Sequence, residues 1–140
     1  MFRTKDGGAT WQQVLNNPNK CLALTIDSAC PRTVYVGTGA GLFKSLDGGD
    51  SWVSLNGLGT DQITGLGIAP NGTVYAGTQN GLYRSTDAGQ TWLPTESGTI
   101  LYRANRFAFD PRSPSFAYAT ASADADGTTG GVYMTTDGGT

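Results

Sequence analysis

The sequence has no histidine, two cysteines and a single glutamate, Glu96, in 140 residues. Without histidine there is no Ser-His-Asp arrangement and no mixed Cys/His zinc site. Charged residues make up only 14% of the chain, the net charge is −2, and Lys and Arg never cluster. Long-range attraction to nucleic acid or to an anionic membrane surface is therefore not expected. No apolar run approaches the ~20 residues that span a bilayer. The first residues, Met1 to Asp6, lack the apolar segment of a signal peptide. Cys21 and Cys30 flank a strand-like run from Leu22 to Asp27. Six extended residues cover roughly 20 Å, whereas a disulfide needs Cα atoms within about 7 Å. Two unpaired thiols are the expectation.

Glycine is abundant instead, at 21 residues, with a hydrophobic fraction of 38%. That balance points to tight turns and thin, half-buried strands. The glycines fall into a repeat. Thr4-Lys5-Asp6-Gly7-Gly8-Ala9-Thr10-Trp11 returns as Ser45-Leu46-Asp47-Gly48-Gly49-Asp50-Ser51-Trp52 and as Ser85-Thr86-Asp87-Ala88-Gly89-Gln90-Thr91-Trp92. It begins once more as Thr135-Thr136-Asp137-Gly138-Gly139-Thr140. The shared pattern is Ser/Thr-x-Asp-x-Gly-x-Thr/Ser-Trp. Its aspartates are spaced by 41, 40 and 50 residues. A period of about 40 suits one four-stranded propeller blade.

The text between the copies aligns as well. Residues 21–27 match 64–70, Thr33-Val-Tyr-Val-Gly-Thr38 matches Thr73-Val-Tyr-Ala-Gly-Thr78, and Gly41-Leu-Phe-Lys-Ser45 matches Gly81-Leu-Tyr-Arg-Ser85. Each is a short apolar or alternating run bounded by turn formers, the signature of a strand. Runs starting at Trp52 and Trp92 supply a fourth strand, and Pro94 suits an outer edge. A looser third unit has strands at 103–110, 116–120 and 131–135, with about ten extra residues at 121–130. Asn71-Gly72-Thr73 has the pattern of an N-glycosylation acceptor but reads better as a hairpin turn.

The expected fold is all-β: a propeller segment of about three four-stranded antiparallel blades. Its units are 1–15 (the end of one blade), 16–55, 56–95 and 96–140 (an incomplete blade). A propeller closes with about four to eight blades, and three would leave strand edges and apolar faces uncovered. The expectation is a fragment of a 6–8-bladed propeller, its partners being the remaining blades or another copy of the chain.

In the motif, Asp6, Asp47, Asp87 and Asp137 can accept backbone N–H bonds of the turn that follows them. Gly8, Gly49, Gly89 and Gly139 can take φ > 0. The hydroxyls of Thr4, Ser45, Ser85, Thr135, Thr10, Ser51 and Thr91 can bond within the same turn. Trp11, Trp52 and Trp92 bring large apolar faces to neighbouring strands. One carboxylate per corner, a blade width apart, does not make a paired catalytic or metal site.

This motif resembles the Asp-box, or bacterial neuraminidase repeat. The run from Thr33 to Trp52 is similar to the blade pattern of Asp-box propellers. That superfamily includes sialidases, xyloglucanases, sortilin-type receptors and photosystem II assembly factors. The resemblance implies that the corners lie on the face away from any ligand. It also favours an extracytoplasmic or secreted location. Ala88 and Ser51 depart slightly from the pattern.

A protein or carbohydrate ligand would then meet the opposite face and the inner ends of the first strands, where Asp61, Glu96, Arg103 and Arg106 are candidates. Sialidases hold a carboxylate with arginines on inner strands, and bidentate pairing explains that choice. Here two arginines three residues apart point to opposite faces of one strand, so at most one reaches the channel. Glycoside hydrolysis needs two carboxyl groups about 5–10 Å apart, and Asp61, Glu96, Asp124 and Asp126 are the acids near that face. Asp124-Ala-Asp126-Gly127-Thr128 begins like a calcium loop, but position 135 is Thr rather than the bidentate Glu. No cofactor and no metal are expected. The sequence favours a non-catalytic binding or assembly scaffold. The alternative is a piece of a sialidase-like or xyloglucanase-like propeller enzyme.

Overall fold

The structure is a computed structural model that describes residues 1–16, 19–95, 103–122 and 130–139. Thirteen strands are described, and no α-helix. They are β1 (Phe2–Arg3), β2 (Gln12–Gln13), β3 (Cys21–Ile26), β4 (Val34–Thr38), β5 (Gly41–Ser45), β6 (Val53–Leu55) and β7 (Ile63–Ile68). Then follow β8 (Val74–Thr78), β9 (Leu82–Ser85), β10 (Leu93–Pro94), β11 (Ala104–Asp110), β12 (Ser113–Ala121) and β13 (Gly131–Thr135).

They form antiparallel meanders. β3-β4-β5-β6 and β7-β8-β9-β10 are four-stranded sheets, β11-β12-β13 is three-stranded, and β1-β2 is a hairpin. Every strand thus pairs with its neighbour in sequence, as short tight turns dictate. The register repeats between units: Tyr35 faces Lys44 as Tyr75 faces Arg84 and Tyr118 faces Met134. The sheets are propeller blades standing side by side. The inner strands β3, β7 and β11 lie next to one another.

Two expectations shift in detail. The tryptophans precede the fourth strands instead of starting them, because the ladder begins only at Val53 and Leu93. The second strand of the third unit runs longer than 116–120, from Ser113 to Ala121. The Asn71-Gly72-Thr73 stretch is a hairpin turn, with Gly72 at φ 85° and its N–H donating to the Ala69 carbonyl.

The core lies between the first two four-stranded sheets. Tyr35, Leu42, Leu58, Ile63, Leu66, Val74 and Ala76 form one buried cluster, with Leu55, Tyr83 and Trp92 packed against it. Between the second and third sheets the stagger is tighter. A Cβ at Gly77 would stand 2.1 Å from the Ala104 carbonyl oxygen, so only glycine permits β8 to approach β11 this closely. Phe107 and Phe109 pack in that junction against Tyr75, whose ring lies 5.3 Å from that of Phe109. Cys21 and Cys30 are exposed free thiols.

Candidate functional site

The four corners share one hydrogen-bond scheme. In the second, Ser45 Oγ donates to Asp47 at 2.7 Å and accepts the Gly49 N–H at 2.8 Å. Asp47 then accepts from the backbone N–H and the hydroxyl of Ser51. Thr4, Asp6, Gly8 and Thr10 repeat this pattern, as do Ser85, Asp87, Gly89 and Thr91. Thr135, Asp137 and Gly139 repeat its first half. The Trp52 and Trp92 indoles each donate to the carbonyl of the corner glycine, Gly49 and Gly89. Trp11 remains 61% exposed.

These bonds stabilise the charged carboxylate. Hydroxyl donors from Thr10 and Ser51 lead in holding Asp6 and Asp47 well below the ordinary value of 3.8. The Thr91 hydroxyl leads at Asp87, which is lowered to about 2. At neutral pH such groups accept hydrogen bonds but carry no proton to transfer.

The position before the glycine also has positive φ: 71° at Gly7, 75° at Gly48, 73° at Gly138 and 59° at Ala88. The carbonyl of that residue is the point at which the preceding blade attaches. Tyr35 donates its hydroxyl to the Ala88 carbonyl at 3.1 Å, and Lys44 Nζ donates to the same oxygen at 3.0 Å. Tyr75 donates to the Gly138 carbonyl at 2.9 Å. Arg3 donates to the Gly48 carbonyl and pairs with Asp50. Burial raises Tyr35 to about 12 and moves Tyr75 in the same direction, so both hydroxyls keep their protons. The motif alone did not reveal these latches. Their signal was the tyrosine recurring at the same place in Thr33-Val-Tyr35 and Thr73-Val-Tyr75.

Away from the corners, an open groove of about 520 Å³ runs along the inner strands. Leu22, Leu24, Thr64, Leu66, Asn105 and Arg106 line it, and among the described residues none that lines it is acidic. A register shift between Ala104 and Arg106 breaks the strict alternation of β11, and the adjacent residues Asn105 and Arg106 both border the groove. Arg103 does not border it. It sits just before β11 at φ 53°, its backbone N–H bound to the Thr78 carbonyl at 2.9 Å and its side chain exposed. Opposite faces for Arg103 and Arg106 would require one regular strand, and β11 is not regular there. One arginine does reach the groove, but Arg103 misses it by lying outside the strand.

Asp61 is half-buried and accepts from the Asn80 amide at 2.9 Å, closing the β8–β9 turn against the preceding loop. Glu96, Asp124 and Asp126 lie outside the described residues. Among the described residues no group of three or more His, Cys, Asp or Glu side chains could hold a metal ion. Thr64, which donates to the Gly77 and Ala104 carbonyls, and Asn105, which donates to the Ser122 hydroxyl, are groove residues that sequence patterns did not single out.

No family model and no curated protein matches the chain. Solved structures do. An ancestral GH74 enzyme superimposes with TM-score 0.79 at 20% identity, over 99% of this chain and 20% of that one. YCF48 from Cyanidioschyzon merolae gives TM-score 0.68 at 19% identity, over 94% of this chain and 38% of that one. A structure of YCF48 bound to D1 peptide gives 0.62 at 19% identity, over 87% and 42%. The chain therefore has the fold of these propellers and spans between a fifth and about two fifths of their length.

Proposed function

We propose that the chain is part of an Asp-box propeller that acts as a binding or assembly scaffold, with the inner-strand groove around Arg106 as its ligand-facing surface. The observation that carries this reading is a division of labour among polar groups. Asp6, Asp47 and Asp87 are each consumed by their own turn. The groove instead sets the Arg106 guanidinium between leucine walls, beside the Thr64 hydroxyl and the Asn105 amide, which are held by their own hydrogen bonds. Such a mixture suits recognition of a chain with polar and apolar groups. Among the described residues it holds no pair of carboxyls such as glycoside hydrolysis uses. The YCF48 structure with D1 peptide supports the reading, since that propeller of similar fold holds a peptide.

The GH74 resemblance favours a second reading, a piece of a carbohydrate-active propeller. One experiment separates the two. The complete protein, wild type and Arg106→Ala, is assayed for reducing-end release from xyloglucan and for retention on a peptide array. The scaffold reading expects peptide retention that falls about tenfold in Arg106→Ala, with no release of reducing ends. Hydrolysis without peptide retention overturns it in favour of the enzyme.

A further inference from the structure

The three inner strands share one irregularity. In β3 the ladder to β4 skips Leu22: Cys21 faces Thr38, and Ala23 faces Gly37. In β7 it skips Thr64, between Ile63 opposite Thr78 and Gly65 opposite Gly77. In β11 it skips Asn105, between Ala104 opposite Ala121 and Arg106 opposite Thr120. Residues 21–26 thus correspond to 63–68, one place off the match read from the sequence. Leu22, Thr64 and Asn105 are one position repeated in three blades, an extra residue with no opposite number on the second strand. A bulge of this kind re-aims a side chain. All three border the inner-strand groove, as do Leu24, Leu66 and Phe107, each two residues further along its strand.

The repeated position carries a different chemistry in each blade. Leu22 is 40% exposed and offers an alkyl group. The Thr64 hydroxyl is committed to the Gly77 carbonyl of its own sheet and the Ala104 carbonyl of the next, so it ties two blades together. Asn105 is braced by its bond to the Ser122 hydroxyl and stands beside the exposed Arg106. The row therefore runs from apolar at β3 to cationic at β11. Cα atoms of neighbouring inner strands come within 8 Å of each other. Crossing from β3 to β11 then takes about four or five residues of extended chain.

We infer, resting on the scaffold reading above, that the bulge row determines the specificity of the groove. Its ligand is an extended peptide lying across the three strands. An aliphatic side chain of that peptide rests on Leu22 and Leu24, and an acidic side chain about four positions away pairs with Arg106 beside Asn105. Charge complementarity selects the acid, since the groove's cation has no acidic neighbour among the described lining residues. Burial on the exposed leucines selects the aliphatic group. Thr64 is a positioning residue: by holding β7 against β11 it sets the distance between the two ends.

The test is a peptide array probed with the complete protein. The reference peptide carries one leucine and one glutamate four positions apart in a Gly/Ser background. Its companions have the leucine replaced by asparagine, the glutamate replaced by glutamine, or the two residues made adjacent. Wild type should retain the reference about tenfold better than each companion. Leu22→Asn should abolish the preference for leucine and keep that for glutamate, and Arg106→Ala should do the reverse. Ile26→Asn is the control, on the same strand, 54% exposed and outside the groove lining, and it should keep both preferences. Each preference is a ratio between two peptides on one protein, so a poorly folded variant does not imitate its loss. If peptides are retained but Leu22→Asn keeps the leucine preference, or Ile26→Asn loses it equally, the bulge row is overturned and the scaffold reading stands. Equal retention of the adjacent-residue peptide overturns the placement across the strands. No retention of any peptide overturns both the row and the scaffold reading.

Discussion

The Tyr35 hydroxyl donates to the Ala88 carbonyl at 3.1 Å, joining the second strand of one blade to the corner of the next. Tyr75 repeats the bond to Gly138 at 2.9 Å. The two latches are not equal. Ala88 keeps a second donor in Lys44, whereas Tyr75 supplies the hydroxyl bond to Gly138 in a buried setting.

Removing each hydroxyl should therefore cost different amounts. Tyr75→Phe leaves a buried carbonyl short of its donor and should destabilise by about 1–3 kcal/mol. Tyr35→Phe should lose about 1 kcal/mol or less, because Lys44 still reaches Ala88. Tyr118, the equivalent residue of the third sheet, is 44% exposed, and Tyr118→Phe should be neutral within about 0.5 kcal/mol. Urea midpoints of the three variants test this order. Equal losses for Tyr35→Phe and Tyr75→Phe would show that the shared acceptor at Ala88 gives no protection.

Ala88 occupies a position that is glycine in the other three corners, and its φ of 59° lies in the left-handed region. An L-residue there costs roughly 1–2 kcal/mol, partly offset by the greater unfolded-state entropy of glycine. Ala88→Gly should stabilise the chain by about 0.5–1 kcal/mol, read as a higher urea midpoint at unchanged slope. Loss of stability would mean that the alanine methyl makes a contact worth more than the strain.

Asp6, Asp47 and Asp87 set the acid limit. Their folded pKa values are depressed, so below the ordinary value of 3.8 the unfolded chain binds more protons than the folded one. The stability they contribute is present above about pH 4 and is lost as pH falls towards 2. Melting temperature measured from pH 6 to pH 2 should be flat above pH 5 and fall steeply below 4. Asp47→Asn should lower the plateau and flatten that fall. A variant that keeps the full wild-type acid dependence would remove Asp47 from the explanation.

The sequence made the corner and its four-strand unit visible because both are local: a turn closes within eight residues, and each strand pairs with the next. What it hid depends on how one blade sits against another. Tyr35 reads as a half-buried strand residue until Ala88 is seen 53 positions further along. Asn105 reads as the partner of a regular alternation until the register shift after Ala104 brings it to the groove beside Arg106. Ala88 reads as a mild departure from a motif, and only its backbone angle makes it a strained one. Arg103 stands out in the sequence for its charge, yet its structural contribution is the backbone bond to Thr78.

Blade contact at Gly77 offers the sharpest test of the stagger between the second and third sheets. An alanine methyl there would lie 2.1 Å from the Ala104 oxygen and 2.8 Å from its carbonyl carbon. Both are backbone atoms of β11, which is held by its ladder to β12, so neither moves without shifting a strand. Overpacking of this kind costs about 1–3 kcal/mol or more. Gly39 is the contrast: its nearest neighbour would be 3.8 Å away, and it has no positive φ. Gly77→Ala should lower the urea midpoint clearly, whereas Gly39→Ala should leave it within about 0.5 kcal/mol of wild type or raise it slightly through the unfolded state. Methyl shifts at Ala104 and Ala121, which pair across β11 and β12, should move in Gly77→Ala alone. A Gly77→Ala chain as stable as wild type, with those methyls unmoved, would mean that β8 and β11 stand further apart in solution.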